Sequence, residues 1–353
     1  MTGVPAGPTI ADIARAAEVS TATVSHALNG TGRVADATRR RVREVATGLG
    51  YGAPRAPRTR TLGLAVTTFA GSSWNYVAVT YFSRWLTAAT SAAHARGYAL
   101  TTLPAERGAE ALWHTLAVDG MLLLDSPEGD PVLRALRARG IPVVFDGRPA
   151  APRPGDTWVD NDHAATTREV LGHLAAAGAR RIALHGGFGS EYYTHAVTRT
   201  YEEWCAERGR PVLPVRFEPD DADGRAFDRV FAGGEADAVY SLYDPGGRQV
   251  LAAAARHGLA VPADLLVVCA SEDPAYETAG VPVTTVTLNP ELTAEAAVAA
   301  LVERIEHDPA RPGRPFRSGG LTVPSALLVR ASSRPRPEGR AGGHAGKDTR
   351  PRA

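Results

Sequence analysis

Apolar residues recur at Ile10, Ile13, Ala14 and Ala17, the i, i+3, i+4, i+7 spacing of one helical face, and predict a short amphipathic helix at the start of the chain. Glu18-Val19-Ser20 interrupts it. A second helix is expected from Thr21 to about Asn29, with Val24, Ala27 and Leu28 turned inward. Ser20 is placed to cap it, because a side-chain oxygen there accepts a first-turn N–H. Asn29-Gly30 stops it, because both residues tolerate positive φ. A third helix, about Asp36–Leu49, buries Val42, Val45, Ala46 and Leu49 and ends at Gly50. The three-residue turn between the first two helices predicts a helix-turn-helix headpiece over residues 9–51, preceded by a disordered stretch over 1–8.

Residues 52–60, G-A-P-R-A-P-R-T-R, hold two prolines, three arginines and no apolar stripe, and read as a linker. Beyond them the pattern alternates between short apolar runs and helical spacing. Strands are expected at Leu62–Thr67, Ala99–Leu103, Gly120–Leu124, Pro142–Phe145, Thr157–Val159, Arg181–Leu184, Val212–Phe217, Ala238–Leu242, Leu265–Ala270 and Val283–Val286. Helices are expected between most of them, at Tyr81–Arg96, Asp130–Arg139, His163–Ala177, Val197–Arg208, Gly224–Ala232, Gly246–His257 and Pro290–Asp308. Repeated βα units imply parallel sheets covered by helices on both faces. Ten strands exceed what one compact sheet usually holds. The fold class is therefore α/β: an all-α headpiece followed by two doubly wound, Rossmann-like subdomains, with a ligand cleft beyond the carboxyl ends of the strands. The expected limits are 61–333 for this body, with one subdomain at about 61–157 and 288–317, the other at about 158–287 and 318–333, and a disordered Pro/Gly/Arg-rich tail over 334–353.

Charge sharpens this division. Residues 1–60 carry nine arginines against four acids, whereas 61–335 carry 25 basic against 32 acidic side chains. A basic head on an acidic body points to a polyanion met by the head alone. Cys205 and Cys269 have no framework or metal-ligand spacing and read as packing thiols of a reducing compartment. No run reaches the roughly 18 apolar residues of a membrane span, and Met1–Pro8 lacks the features of a signal peptide. A cytoplasmic, nucleoid-associated protein with no membrane partner is expected. His185–Ser190, H-G-G-F-G-S, follows a strand but lacks both the P-loop Lys-Ser/Thr and G-x-G-x-x-G spacing, so its glycines read as turns. With no G-x-S-x-G elbow, H-E-x-x-H or Cys/His ligand spacing, no enzyme activity, cofactor or metal is expected.

The segment T-I-A-D-I-A-R-A-A-E-V-S-T-A-T-V-S-H-A-L-N-G (Thr9–Gly30), followed by R-V-A-D-A-T-R-R-R-V (Arg33–Val42) and L-G-Y (Leu49–Tyr51), resembles the LacI/GalR family of bacterial repressors. The likeness continues through V-D-G-M-L-L-L (Val118–Leu124), I-P-V-V-F-D (Ile141–Asp146), V-D-N-D (Val159–Asp162) and V-P-A-D-L-L-V-V (Val261–Val268), and spans roughly residues 9–333. It implies a periplasmic-binding-protein-like core and a homodimer that represses transcription at a palindromic double-stranded operator under control of a sugar-like small molecule. An effector-independent regulator and a pure sugar-binding receptor are the alternatives.

On this resemblance Thr21, Ala22 and His26 face base edges in the major groove. Ser20, Thr23, Ser25 and Asn29 contact the DNA backbone or hold the turn, while Thr9, Arg33, Thr38 and Arg39 lie on the phosphate side. His26 stands where the family usually has Arg, and Glu18 where it has the turn Gly. The linker is shorter than usual, with 12 positions from Tyr51 to Gly63, and lacks the hinge helix that wedges leucines into the minor groove. Arg55, Arg58 and Arg60 are expected to take its place electrostatically.

For the effector, the resemblance points to Asp160, Asp244 and Glu272. Carboxylates suit a polyol because each engages adjacent hydroxyls. Three departures mark the cleft: Tyr243 replaces an Asn, Ser271 replaces the first of two paired aspartates, and Val197 replaces a sugar-clamping Arg, with Arg199 nearby. Trp74, Tyr76 and Phe82, in an aromatic-rich loop after the first strand, are expected to stack on the ligand; Tyr81 adjoins them.

Overall fold

The computed structural model describes residues 10–29, 34–49, 58–67, 79–103, 110–307 and 318–334. The chain divides after Thr59 into a small unit and a large one. The small unit consists of α1 (Ile10–Ala17), α2 (Thr21–Asn29) and α3 (Asp36–Leu49). Ile13, Ala14, Ala17, Val24, Ala27, Val42 and Ala46 form its core. These are the residues that helical spacing turns to one side, so burial of three apolar stripes assembles the headpiece.

The large unit holds two six-stranded sheets. The first contains β1 (Thr61–Val66), β2 (Ala99–Thr102), β3 (Gly120–Leu124), β4 (Val143–Asp146), β5 (Thr157–Asn161) and β11 (Gly319–Val323), in the order β11-β5-β4-β3-β1-β2 and parallel throughout. The second contains β6 (Ile182–Gly186), β7 (Leu213–Arg216), β8 (Ala238–Ser241), β9 (Leu266–Ala270), β10 (Thr284–Thr287) and β12 (Ala326–Leu328), in the order β12-β10-β9-β8-β6-β7. Only β12 runs antiparallel, against β10. In each sheet the strand order reverses beside its first strand, which opens a crevice at the carboxyl ends.

Helices cover both faces, which is why central strands such as β3 and β9 are apolar at every position. In the first half, Phe82 and Trp85 of α4 (Thr80–His94) and Val298 and Leu301 of α12 (Pro290–Glu306) pack on one face. Trp113 of α5 (Glu110–Thr115) and Leu133 and Leu136 of α6 (Pro131–Ala138) cover the other. In the second half, α7 (His163–Ala176) and α8 (Tyr192–Glu207) face α9 (Asp228–Ala232) and α10 (Gly246–Arg256) across the sheet. Cys205 and Cys269 are free thiols buried in these two layers.

Several boundaries differ from the sequence expectation. Strand pairing puts all of β5 and β11 in the first sheet, so the chain crosses between halves after Asn161 and after Val323 instead of near 157 and 317, while the crossing near Leu288 falls where it was expected. β11 and β12 were not expected: both are short, partly exposed edge strands, β11 opening on two glycines and β12 only three residues long. α8 begins at Tyr192, five residues before the expected Val197, because Tyr-Tyr-Thr-His has no clear 3.6-residue stripe. The stretch expected as one helix over Gly224–Ala232 is a 3-10 turn, Arg225–Phe227, leading into α9. A short helix α11 (Ala275–Thr278) follows β9.

Candidate functional site

In the headpiece, the Thr23 N–H donates to Ser20 Oγ at 3.1 Å, and the two hydroxyls lie 2.8 Å apart. This cap satisfies an orphan donor of the first turn and fixes where α2 begins. Thr21, Ala22 and His26 are exposed on α2, while Thr23 and Ser25 are half-buried. Thr38 and Arg39 are half-buried near the start of α3. Glu18 takes the turn in the left-handed region, at φ 54°, and its carboxylate accepts from Arg41 at 3.2 Å. Thr9, Arg33, Arg55 and the side chain of Asn29 lie outside the described residues.

Arg58 is exposed. Arg60 belongs to the large unit, contrary to its expected place in the linker. Its N–H donates to Asp119 at 3.0 Å, and its guanidinium sits 5.1 Å from the Tyr98 ring centre and 3.5 Å from Glu306. Those contacts place Arg60 at the foot of β1, with its guanidinium still largely exposed.

In the large unit, the carboxyl ends of the two sheets enclose a cavity of about 90 Å3. From the first sheet come Asp125 after β3, Asp146 at the end of β4 and Asp160 near the end of β5; from the second come Glu191 after β6, Asp244 after β8 and Glu272 after β9. Tyr81, Phe82, Tyr193 and Tyr243 supply aromatic walls, and His163 opens α7 at the crossing.

These carboxyls differ in how they are held. The Tyr81 hydroxyl donates to Asp146 at 2.8 Å, yet burial pushes the Asp146 carboxyl up to about 7. Asp125 is held at φ 51° and accepts no hydrogen bond from the described residues. Burial, and then the charges of Glu191, Asp146 and Asp160, raise its pKa well above the usual carboxylate range. Asp160 accepts from the Arg148 N–H at 2.9 Å and lies 2.7 Å from His163 Nε2. Glu191 accepts from the Thr194 and Tyr243 hydroxyls. A Cβ on Gly189 would lie 1.7 Å from a Glu191 oxygen, so this glycine leaves space for the carboxylate.

Of the expected effector residues, Phe82, Asp160, Asp244 and Glu272 line the cavity, while Trp74 and Tyr76 lie outside the described residues. Glu272 has its oxygens committed: Thr287 Oγ1, the Leu288 N–H and Arg84 donate to it at 2.8, 2.7 and 2.9 Å. It anchors a crossing as much as it faces the cavity. Asp244 accepts from the Ser271 hydroxyl, and Arg248 stands 3.7 Å away. Burial raises both carboxyls above their usual values. Val197 is buried in the α7–α8 layer, and Arg199 points to solvent near Glu203.

Asp125, Asp146, Glu191 and His163 were not among the expected residues. Their signal was positional: Asp125 and Asp146 terminate apolar runs that read as strands, where an α/β fold places ligand contacts. Glu191 had no such signal, because it immediately precedes a helix whose start the apolar pattern placed at Val197.

Residues 9–53 match the family model of bacterial regulatory proteins of the lacI family, and residues 171–332 match a periplasmic binding protein-like domain. The chain is 31% identical over 333 residues to the HTH-type transcriptional regulator in the aml 5' region of Streptomyces limosus, covering 86% of this chain and 90% of that one. This chain belongs to the lacI family. As a lacI-family member it is a DNA-binding transcriptional regulator and not an enzyme. It is also 28% identical over 345 residues to the HTH-type transcriptional regulator CelR of Thermobifida fusca, covering 92% of this chain and 98% of CelR. A solved structure of a CelR–cellobiose complex superimposes with a TM-score of 0.68 at 27% identity, over 92% of this chain and 99% of that one. The lac repressor dimer bound to operator and an anti-inducer shares the fold, with a TM-score of 0.66 at 20% identity over 93% and 100%. Among the described residues, no helix is long and apolar enough to cross a membrane.

Proposed function

We propose that this lacI-family chain is a cytoplasmic repressor that binds a near-palindromic operator as a homodimer, with affinity set by a small molecule held in the cleft between the two sheets. The observation that carries the reading is the capped α2, which presents Thr21, Ala22 and His26 to solvent from a packed three-helix core. A helix so placed enters the major groove with its first turn toward base edges. Thr21 then reaches a base edge or a thymine methyl, Ala22 gives apolar contact only, and His26 lies one turn on. Ser20, Thr23, Ser25, Asn29, Thr9, Arg33, Thr38 and Arg39 serve the backbone side or the turn, and Arg55 and Arg58 approach phosphates or a narrow minor groove. Asp160 and Asp244, with the aromatic wall at Phe82, face the effector, and Trp74 and Tyr76 extend that wall. Cellobiose in the related CelR complex supports a sugar-sized ligand, and the cavity favours a ligand-responsive regulator over an effector-independent one. The effector acts by its differential affinity for the two arrangements of the halves.

Selection of bound sites from a random DNA library tests this. Two half-sites related by a dyad are expected, and a consensus without a dyad overturns the dimer. His26→Arg is expected to shift one base pair of each half-site toward guanine, because a guanidinium engages guanine O6 and N7 together whereas imidazole offers one donor. The shift corresponds to about 1–3 kcal/mol of discrimination.

A further inference from the structure

We propose that the cleft takes a small hydroxylated molecule bearing a primary amine, held as its ammonium by Asp125 and Asp146 against the tyrosine walls. This deepens the effector reading above and rests on it. The site itself stands on the cavity at the carboxyl ends of both sheets; its charge decides the class of ligand. Six carboxyl side chains line it, and no arginine or lysine does so among the described residues.

The protein compensates part of this charge itself. Arg84 pairs with Glu272 and Arg248 stands by Asp244, and Asp160 is held by the Arg148 N–H and lies 2.7 Å from His163 Nε2. Arg148 is the other cation nearby; it is exposed and stacks between Trp158 and Tyr192, with ring centres 5.6 and 5.0 Å away. The Asp125 carboxyl accepts no hydrogen bond and forms no ion pair among the described residues; the Asp146 carboxyl forms no ion pair there either, and accepts from the Tyr81 hydroxyl at 2.8 Å with Trp85 and Thr293 beside it. Burial first, and then the charges of neighbouring carboxyls (Glu191, Asp146 and Asp160 for Asp125, Asp160 for Asp146), hold both above their ordinary pKa, so each gains when a cation arrives. Carboxylate and aromatic faces together are the surroundings that recognise an ammonium group, through charge-assisted hydrogen bonds and cation–π attraction. A neutral sugar offers these carboxyls no counter-charge and leaves them holding protons, and a sugar phosphate or acid would add negative charge beside them. The cavity has room for roughly six to nine water-sized groups at about 10–15 Å3 each, which limits the enclosed part of the ligand to about a monosaccharide.

The test uses the full chain and matched probe sets: amino sugars, their N-acetyl derivatives, the parent neutral sugars, the corresponding sugar acids, and linear polyamines. Binding is read by calorimetry and by the shift in melting temperature. An amino sugar is expected to bind at least tenfold more tightly than its N-acetyl and neutral counterparts. Asp125→Asn and Asp146→Asn are each expected to remove most of that preference, lowering affinity for the amino sugar by more than for its neutral counterpart. The melting temperature of each unliganded variant shows whether it has folded. If either fails to fold, Asp125→Glu, which keeps the charge and moves it, is expected to retain the amine preference at reduced affinity. A neutral or acidic probe that binds more tightly than its amine overturns the charge assignment and leaves the effector reading intact. Polyamines preferred over every amino sugar overturn the hydroxylated class. No binding across all five sets overturns both.

Discussion

Glu18 and His185 show how single residues carry opposite kinds of cost. Glu18 occupies a left-handed turn, which costs an L-residue about 1–2 kcal/mol, and its contact with Arg41 is exposed on both sides and contributes little. Glu18→Gly is therefore expected to gain up to about 1 kcal/mol after the added chain entropy of glycine is deducted. Amide exchange across α1 and α2 would slow several-fold, and operator affinity would rise with loss of a negative charge; unchanged exchange would show that the turn is not strained. His185 is fully buried, its Nδ1 3.1 Å from Ser241 Oγ and its Nε2 without a hydrogen-bond partner, and burial pushes its pKa down to about 3. Below about pH 6.5 the unfolded chain takes a proton that folded His185 refuses, so stability falls by about 1.4 kcal/mol per pH unit as pH drops toward 3. Asp146 acts in the opposite direction. Its folded pKa is raised to about 7, so folded protein keeps a proton that the unfolded chain releases, and stability rises as pH falls from 7 toward 4. The two slopes offset each other between about pH 4 and 6.5. Asp146→Asn removes one of them: denaturant titrations should show the variant gaining stability at pH 8 and losing about 2–3 kcal/mol relative to the parent between pH 6.5 and 4.5. Parallel curves for the two proteins would refute a buried, raised Asp146.

At the scale of elements, the three crossings between halves are held by amides. Asn161, at the end of β5, donates from Nδ2 to the Leu288 carbonyl at 3.2 Å and the Val323 carbonyl at 3.0 Å, so one side chain touches all three connecting segments. Asn289, at φ 53°, donates to the Pro324 carbonyl at 2.6 Å. Arg84 of α4 adds a tie from the first half to Glu272 of the second while also holding Glu291 of α12. Asn161→Ala strands two carbonyls in a buried place and is expected to cost about 2–3 kcal/mol, measured by denaturation. It should also weaken cooperativity between the halves, seen as separation of the two unfolding transitions. A cost below about 0.5 kcal/mol would mean that water replaces the amide without penalty.

At the scale of the molecule, the apolar pattern alone determined a three-helix headpiece and a body of repeated βα units. Those depend on period and side-chain type, which are local: Ile10, Ile13, Ala14 and Ala17 form one face in any helix, and Met121–Leu124, a short apolar run after Gly120, fits a strand covered on both sides. The resemblance to lacI-family chains was legible for the same reason, being carried by a contiguous run, and with it came Asp160, Asp244 and Glu272. What tertiary structure decided was which acids meet and which are already occupied. Asp125, Asp146 and Glu191 lie as far as 66 positions apart in the chain and share a cavity because two sheets bring their carboxyl ends together. Glu272, an effector candidate by position, is largely spent on Arg84, Thr287 and Leu288; Arg60, a linker arginine by sequence, is engaged by Tyr98, Asp119 and Glu306. Charge is written residue by residue, but its compensation depends on neighbours that only the folded chain supplies.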